Sequence, residues 1–220
     1  MSPSLTPIKA LVRAWKGLGA PAKASSALVM GSQGADLARA VRDELSPGVL
    51  LLMNAKPPPA RSHFETTPVD LRTLARERPA SFDLVAVGDG LESGDLVEVR
   101  DRLQDIAGLL RPGGLLAAAL EAVAAPDSER GSYEHLLFPH LARAGELGDE
   151  IQARAPLPVS AWRALVHAAG FEIIALDGAR GQMLPADFQT MHEARLAAYD
   201  ERELAGGSLR LIARRTERSA

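Results

Sequence analysis

The chain has 220 residues with 25 Lys+Arg and 28 Asp+Glu, and its net charge of −3 disfavours a dominant role in binding nucleic acid or another polyanion. Hydrophobic residues make up 46% and charged residues 24%, the balance of an ordinary globular protein, and the length suits one α/β domain better than two small ones. Aromatic residues supply only 4% and cysteine is absent, which excludes disulfides, thiolate metal sites and cysteine nucleophiles and leaves little for base-stacking platforms or aromatic cages.

Lys9, Arg13 and Lys16 interrupt the first 23 residues, so no secretory apolar core is present there. No later stretch approaches the length of a membrane span, and the cytoplasm is the default compartment. Ile8, Leu11, Val12, Trp15 and Leu18 stand at helical spacing, with Pro7 near the start and Gly19 past the end, which predicts an amphipathic leader or lid helix. With the Pro/Ala/Ser linker after it, this helix forms a unit over residues 1–26, set apart from a main domain over 27–220.

Ala27-Leu28-Val29-Met30 is an apolar run ending at Gly31-Ser32-Gln33-Gly34, and Leu37, Val41 and Leu45 follow at helical spacing, the order of strand, glycine turn and helix. Val49 to Met53 is apolar without alternation, as in a parallel strand covered on both faces. Asn54-Ala55-Lys56-Pro57 closes it, and Pro57-Pro58-Pro59 reads as a stiff turn. Phe64 to Val69 is a threonine-containing strand, with a short helix at Leu71, Leu74 and Ala75.

Phe82 to Val87 is another buried-type strand, ending in Gly88-Asp89-Gly90. Leu96, Val99, Leu103, Ile106 and Leu110 mark a helix that stops at Arg111-Pro112-Gly113-Gly114, and Leu115 to Leu120 returns as a strand. Residues 121–158 read as a polar insertion carrying Tyr133, His135 and His140, of the kind that covers a site. Ser160 is the expected N-cap of a helix through Trp162, Leu165, Val166 and Ala169, ended by Gly170. Strands at Phe171 to Leu176 and Ser208 to Ala213 complete the chain, with a helix between them around Glu193 to Ala198.

Strands alternating with helices call for a doubly wound, mainly parallel sheet, whose ligand crevice lies at the carboxyl ends of its strands, just past Met30, Met53, Val69 and Val87. From Ala27 to Arg214 the sequence resembles the class I S-adenosylmethionine-dependent methyltransferases. Phe82-Asp83-Leu84-Val85 is similar to that family's fourth strand, Leu109 to Leu116 to its helix-to-fifth-strand turn, and Ala168-Ala169-Gly170-Phe171-Glu172-Ile173-Ile174 to the start of its sixth strand. The Leu-Arg-Pro-Gly-Gly turn is the most specific of these. The resemblance implies a Rossmann-like seven-stranded sheet, with an N-terminal helix and an insertion after the fifth strand.

It also implies S-adenosylmethionine as cofactor, on Gly31, Ser32, Gln33, Gly34, Asn54, Asp70 and Asp89. That family places an acidic residue two before the first glycine of a Gly-x-Gly-x-Gly turn. Here Val29 stands at the acidic position, and Gln33 and Ala35 at the later glycines. Loss of that carboxylate removes about 1–3 kcal/mol of a charge-assisted contact, so binding is weakened or lost. Asn54 stands where the family accepts both ribose hydroxyls, and Asp70 where it receives the adenine amino group.

Each site residue has a second reading. Gly31 and Gly34 also suit a plain tight turn, Asn54 a turn start, and Asp70 a helix N-cap. Asp89, Glu92 and His140 are the candidate catalytic groups, with His135 beside them, able to orient or deprotonate an acceptor; equally, they suit a solvated loop. No His/Asp/Glu spacing makes a metal site.

Two functions from different classes follow. One is transfer of the sulfonium methyl group to an oxygen or nitrogen of a small molecule. The other is a catalytically degenerate relative that serves as a scaffold or regulatory partner, as a homo- or heterodimer. A nicotinamide-dinucleotide turn at Gly31 and Gly34 is disfavoured, because Leu37 replaces its third glycine and no acid follows the second strand. Neither function calls for nucleic acid or a membrane.

Overall fold

The structure, a computed structural model, describes residues 5–18, 24–53, 65–94, 96–121, 157, 159–178, 186–197, 199 and 208–217. Its strands are β1 (Ser26–Met30), β2 (Val49–Met53), β3 (Glu65–Thr67), β4 (Phe82–Val87), β5 (Leu110–Glu121), β6 (Phe171–Gly178) and β7 (Ser208–Arg215). Its helices are α1 (Leu5–Gly17), α2 (Gly34–Leu45), α3 (Leu71–Glu77), α4 (Leu96–Leu109), α5 (Val159–Ala168) and α6 (Ala186–Leu196). The strands form one sheet in the order β3-β2-β1-β4-β5-β7-β6, parallel except for β7, which runs against both neighbours. The Rossmann-like doubly wound sheet implied by the sequence is therefore the fold.

The unbroken apolar runs have a simple cause. Leu28, Leu51, Val85 and Leu116 pack with Leu74 of α3, with Val99, Leu103 and Ile106 of α4, and with Trp162 and Val166 of α5. Their strand neighbours Ala27, Val29, Leu52, Ala86 and Ala117 pack on the other side with Val12 and Trp15 of α1 and with Leu37, Ala38 and Val41 of α2. Each strand is thus apolar on both faces, the condition under which alternation disappears. Each face carries one of the two tryptophans.

α1 is a fixed wall of the fold rather than a lid. Val12 and Trp15 have no exposed surface, Lys9 pairs with Asp43 at 3.1 Å, and Arg13 reaches Glu44 at 2.7 Å. Three other expectations need correction. Ser160 lies inside the first turn of α5, which begins one residue earlier, so it is not the N-cap. The helix placed around Glu193 to Ala198 runs from Ala186 to Leu196, with non-helical backbone at His192. Arg111-Pro112-Gly113-Gly114 does not precede β5 but lies within it, as an irregularity between Leu110, paired with Phe82, and Leu115, paired with Leu84. Gly113 takes φ +77 there, and a Cβ on Gly114 would lie 2.9 Å from the Arg111 carbonyl oxygen.

That irregularity is held by Asp83. Its carboxylate accepts from the Ser26 backbone N–H at 2.9 Å and from the Arg111 guanidinium at 2.8 Å, so it joins β1, β4 and β5 at their starting ends. Burial pushes the Asp83 carboxyl up, but the bonds from Ser26 and Arg111 outweigh it and hold its pKa below the ordinary 3.8. A depressed carboxyl stabilises the fold above its unfolded pKa, and that contribution is lost as pH falls through the native value. Asp83→Asn is expected to lower the thermal midpoint by roughly 2–6 °C at pH 7, with the gap from the parent closing below about pH 4. Circular-dichroism melts at pH 7 and pH 3 check this, and a gap that persists unchanged at pH 3 contradicts it.

Candidate functional site

The strand order reverses between β1 and β4: β2 and β3 extend to one side of β1, and β4 and β5 to the other. In open α/β sheets the crevice opens at such a switch point, beyond the carboxyl ends of the two strands. Met30 ends β1 and Val87 ends β4, and these two residues are register partners. One residue further on, the Gly88 N–H still donates to the Met30 carbonyl at 3.0 Å, which extends the ladder into the loops.

Gly31 follows at φ +127, and a Cβ there would lie 2.9 Å from Asp89 Oδ1 and 3.2 Å from Asp89 N. Only glycine serves, for backbone reasons and for space. The Ser32 N–H donates to Asp89 Oδ1 at 2.7 Å, and the Ser32 hydroxyl makes a short bond to Asp89 Oδ2. Two residues that are 57 positions apart are thereby joined across the crevice mouth. Gln33 is exposed at the N-cap position of α2 and makes no side-chain capping bond.

Gly34 has a different reason to be glycine. A Cβ there would lie 2.7 Å from Leu52 Cδ1, so this residue lets the start of α2 rest on β2. Gly34 is buried, whereas Ser32 and Gln33 of the same turn are exposed. Gly88 serves similarly, since its missing Cβ makes room for Leu37 Cδ2 at 3.1 Å. Val29 is fully buried in the α1/α2 layer and presents nothing to the crevice.

Asp89 and Glu92 both sit half-buried on the loop from β4 to α4. Leu91 plugs that loop into the core with no exposed surface. Arg102 of α4 donates to the carbonyls of Leu91 at 2.7 Å and Ser93 at 2.9 Å, which pins the loop from below. Sequence reasoning missed Arg102, because a single arginine on the polar side of a helix carries no local signal of what it holds.

Asp70 caps α3. Its Oδ1 accepts from the Thr73 N–H at 2.9 Å and its Oδ2 from the Thr73 hydroxyl at 2.8 Å, bonds that lower its pKa, the backbone one most. Asn54, Tyr133, His135 and His140 lie outside the described residues. The structure therefore brings together Gly31, Ser32, Gln33 and Asp89 at the switch point, with Glu92 on the same loop as Asp89 and Asp70 at the end of the sheet where β3 finishes. Among the described residues no cluster of three His, Cys, Asp or Glu could hold a metal ion, and no helix is long and apolar enough to cross a membrane.

A cavity of about 650 Å³ lies elsewhere, lined by Arg163, His167, Phe171, Glu172 and Thr216 among others. Phe171 begins β6 and Thr216 follows the end of antiparallel β7, so this cavity is at the opposite end of the sheet from the switch point.

The sequence matches no protein-family model and no curated protein at a significant level. The structure has many counterparts. An S-adenosylmethionine-dependent methyltransferase from Archaeoglobus fulgidus superposes with a TM-score of 0.61 at 11% identity, covering 96% of this chain and 95% of that one. The 1,6-didemethyltoxoflavin-N1-methyltransferase of Burkholderia thailandensis, with bound S-adenosylhomocysteine, gives 0.57 at 16% identity over 98% and 79%. The N-methyltransferase NodS from Bradyrhizobium japonicum, in complex with S-adenosylhomocysteine, gives 0.56 at 15% identity over 96% and 86%. At these identities the likeness is one of fold: the chain has the class I methyltransferase fold.

Proposed function

We propose that this protein is an S-adenosylmethionine-dependent methyltransferase acting on an oxygen or nitrogen of a small molecule. The observation that carries the reading is the convergence of a glycine turn and a carboxylate at the switch point, through Gly31, Ser32 and Asp89. The residues present fit the cofactor in kind. Gly31 allows close approach to the backbone, and Asp89 supplies, from β4, a carboxylate that Val29 on β1 cannot. Gly31, Ser32, Gln33 and Gly34 form the turn beneath it, Asn54 is assigned to the ribose, and Asp70 to the adenine amino group.

S-adenosylmethionine, when bound, supplies a methyl group already activated by the positive charge on its sulfur. The chain's own part is then to position the acceptor and hold its proton. Both oxygens of Asp89 are engaged by Ser32, which gives Asp89 the role of organising the turn, and in this reading the base is assigned to Glu92 or His140. The acceptor is a small molecule, without nucleic acid or membrane.

A second reading, a catalytically degenerate relative acting as scaffold or dimer partner, is favoured by Val29, which replaces an acid with a fully buried core residue. Isothermal titration with S-adenosylhomocysteine decides between them. Binding with a Kd from micromolar to about a millimolar is expected of the enzyme. Absence of heat at several millimolar ligand leaves the degenerate reading.

A further inference from the structure

Helix α5 turns two kinds of residue in two directions. Trp162 and Val166 have no exposed surface and pack into the core, while Arg163 and His167, each the next residue along, are exposed and line the cavity at the start of β6. Four positions apart, the arginine and the histidine are neighbours on one side of the helix. Neither side chain has a hydrogen-bond or ion-pair partner among the described residues. The other cations at this end of the sheet are committed: Arg214 faces Glu172 across the β6–β7 ladder at 3.7 Å, and Arg215 donates to the Leu110 carbonyl. Glu172 is the carboxylate of the lining, and Glu217 lies one residue beyond it.

The cavity has an apolar floor that is held in place. Phe171 is part of the core and Ile173 packs against it. The Gly170 carbonyl, at the turn from α5 into β6, accepts from the Thr216 N–H at 2.9 Å and from the Thr216 hydroxyl at 2.8 Å, which ties the segment leaving β7 to that turn. The volume, about 650 Å³, is that of a small-molecule site. Arg163 brings a permanent cation whose planar fork matches a carboxylate, and His167 adds a ring N–H donor. An apolar floor beside such a wall selects a ligand with an apolar body and an anionic end. A second negative charge on the ligand is disfavoured, because the C-terminal end of α5 is itself partly negative and Glu172 carries a full charge.

We propose that this cavity is a second ligand site, separate from the switch point, which takes a small organic monocarboxylate with its charged end on Arg163 and His167 and its apolar body against the Phe171–Ile173 floor. It lies at the amino end of β6, the outermost strand, and the switch point lies at the carboxyl ends of β1 and β4, so one ligand cannot occupy both. The proposal is independent of the cofactor reading above.

The test is titration of the full chain, followed by nuclear magnetic resonance, with 3-phenylpropionate and octanoate, with the neutral 3-phenylpropionamide and with inorganic phosphate. The two carboxylates are expected to bind with a Kd of about a millimolar or tighter, and the amide and phosphate at least about 10-fold more weakly. Arg163→Gln is expected to weaken the carboxylates about 10-fold or more and His167→Ala roughly 3-fold or more, and neither to alter the amide. Both residues are exposed, so both variants should fold, and Arg100→Gln on α4 controls for the loss of a surface charge. Absence of binding by both carboxylates at about 20 mM overturns the proposal. So do equal affinity for the amide or for phosphate, unchanged binding in Arg163→Gln, and an equal loss in Arg100→Gln. Displacement of the carboxylates by S-adenosylhomocysteine also overturns it, since that would place them at the switch point.

Discussion

Trp15→Ala is expected to destabilise the protein by about 3–5 kcal/mol, the range for removing a fully buried large aromatic side chain. The indole has no exposed surface and belongs to the layer in which Val12, Leu37, Val41, Val29 and Ala86 meet. The surrounding strand residues Ala27, Ala86 and Ala117 are small, and small neighbours cannot expand to fill the space that the ring would leave. Against a total stability of about 5–15 kcal/mol, such a loss is a large share. The ion pairs that flank it are different. Lys9–Asp43 is exposed on both sides, and Lys9→Ala is expected to change stability by less than about 1 kcal/mol. Urea unfolding of both variants checks the contrast. A loss below 1 kcal/mol for Trp15→Ala would mean that α1 is detachable after all.

Two glycines three residues apart are expected to separate binding from packing. Gly31→Ala forces an L side chain into φ +127 and against Asp89, a strain on the order of 1–3 kcal/mol. Because the strained atoms are those of the crevice mouth, binding of S-adenosylhomocysteine should fall below detection in this variant. Gly34→Ala meets only Leu52 Cδ1, 2.7 Å away inside the core, and overpacking of this kind costs about 1–3 kcal/mol. Its methyl group points at β2 rather than at a ligand, so binding should persist within a few-fold. Urea unfolding and titration calorimetry on the same two variants provide both readouts. Equal binding by Gly31→Ala and the parent would remove the turn from the ligand site.

The strands most legible from the residues are those that the core dictates most strictly. β2 and β4 fall at the predicted bounds because burial on both faces demands a nearly continuous apolar run, which marks where each strand lies. β5 was less legible. Pro112, Gly113 and Gly114 carry the local marks of a turn between elements, whereas the ladder on either side of them makes the turn an irregularity within one strand. What decides between the two is Asp83, a residue 28 positions before Arg111. Ser160 is ambiguous for the same sort of reason, since a serine before an apolar stripe suits either the cap or the first turn.

The family-like residues divide along a similar line. Phe82-Asp83 and Leu-Arg-Pro-Gly-Gly are tied together at the starting ends of the strands, away from the crevice, so they speak for the architecture and not for the chemistry. The turn at Gly31 was legible as a place. Its closure by Asp89 was not, because hydrogen bonds between two loops joined only through a sheet leave no periodic trace in the sequence.

The one tryptophan on each face of the sheet makes the two layers separately visible in emission. Both indoles are fully buried, and neither Nε1 has a hydrogen-bond partner among the described residues, so each should fluoresce at short wavelength in the native state and shift red when its own layer opens to water. Conservative replacement by Phe, one position at a time, leaves a single fluorophore. The survivor then reports whether the α1/α2 side melts together with the side built on α3, α4 and α5 or ahead of it, an optical test of cooperativity that the molecule carries without any added label.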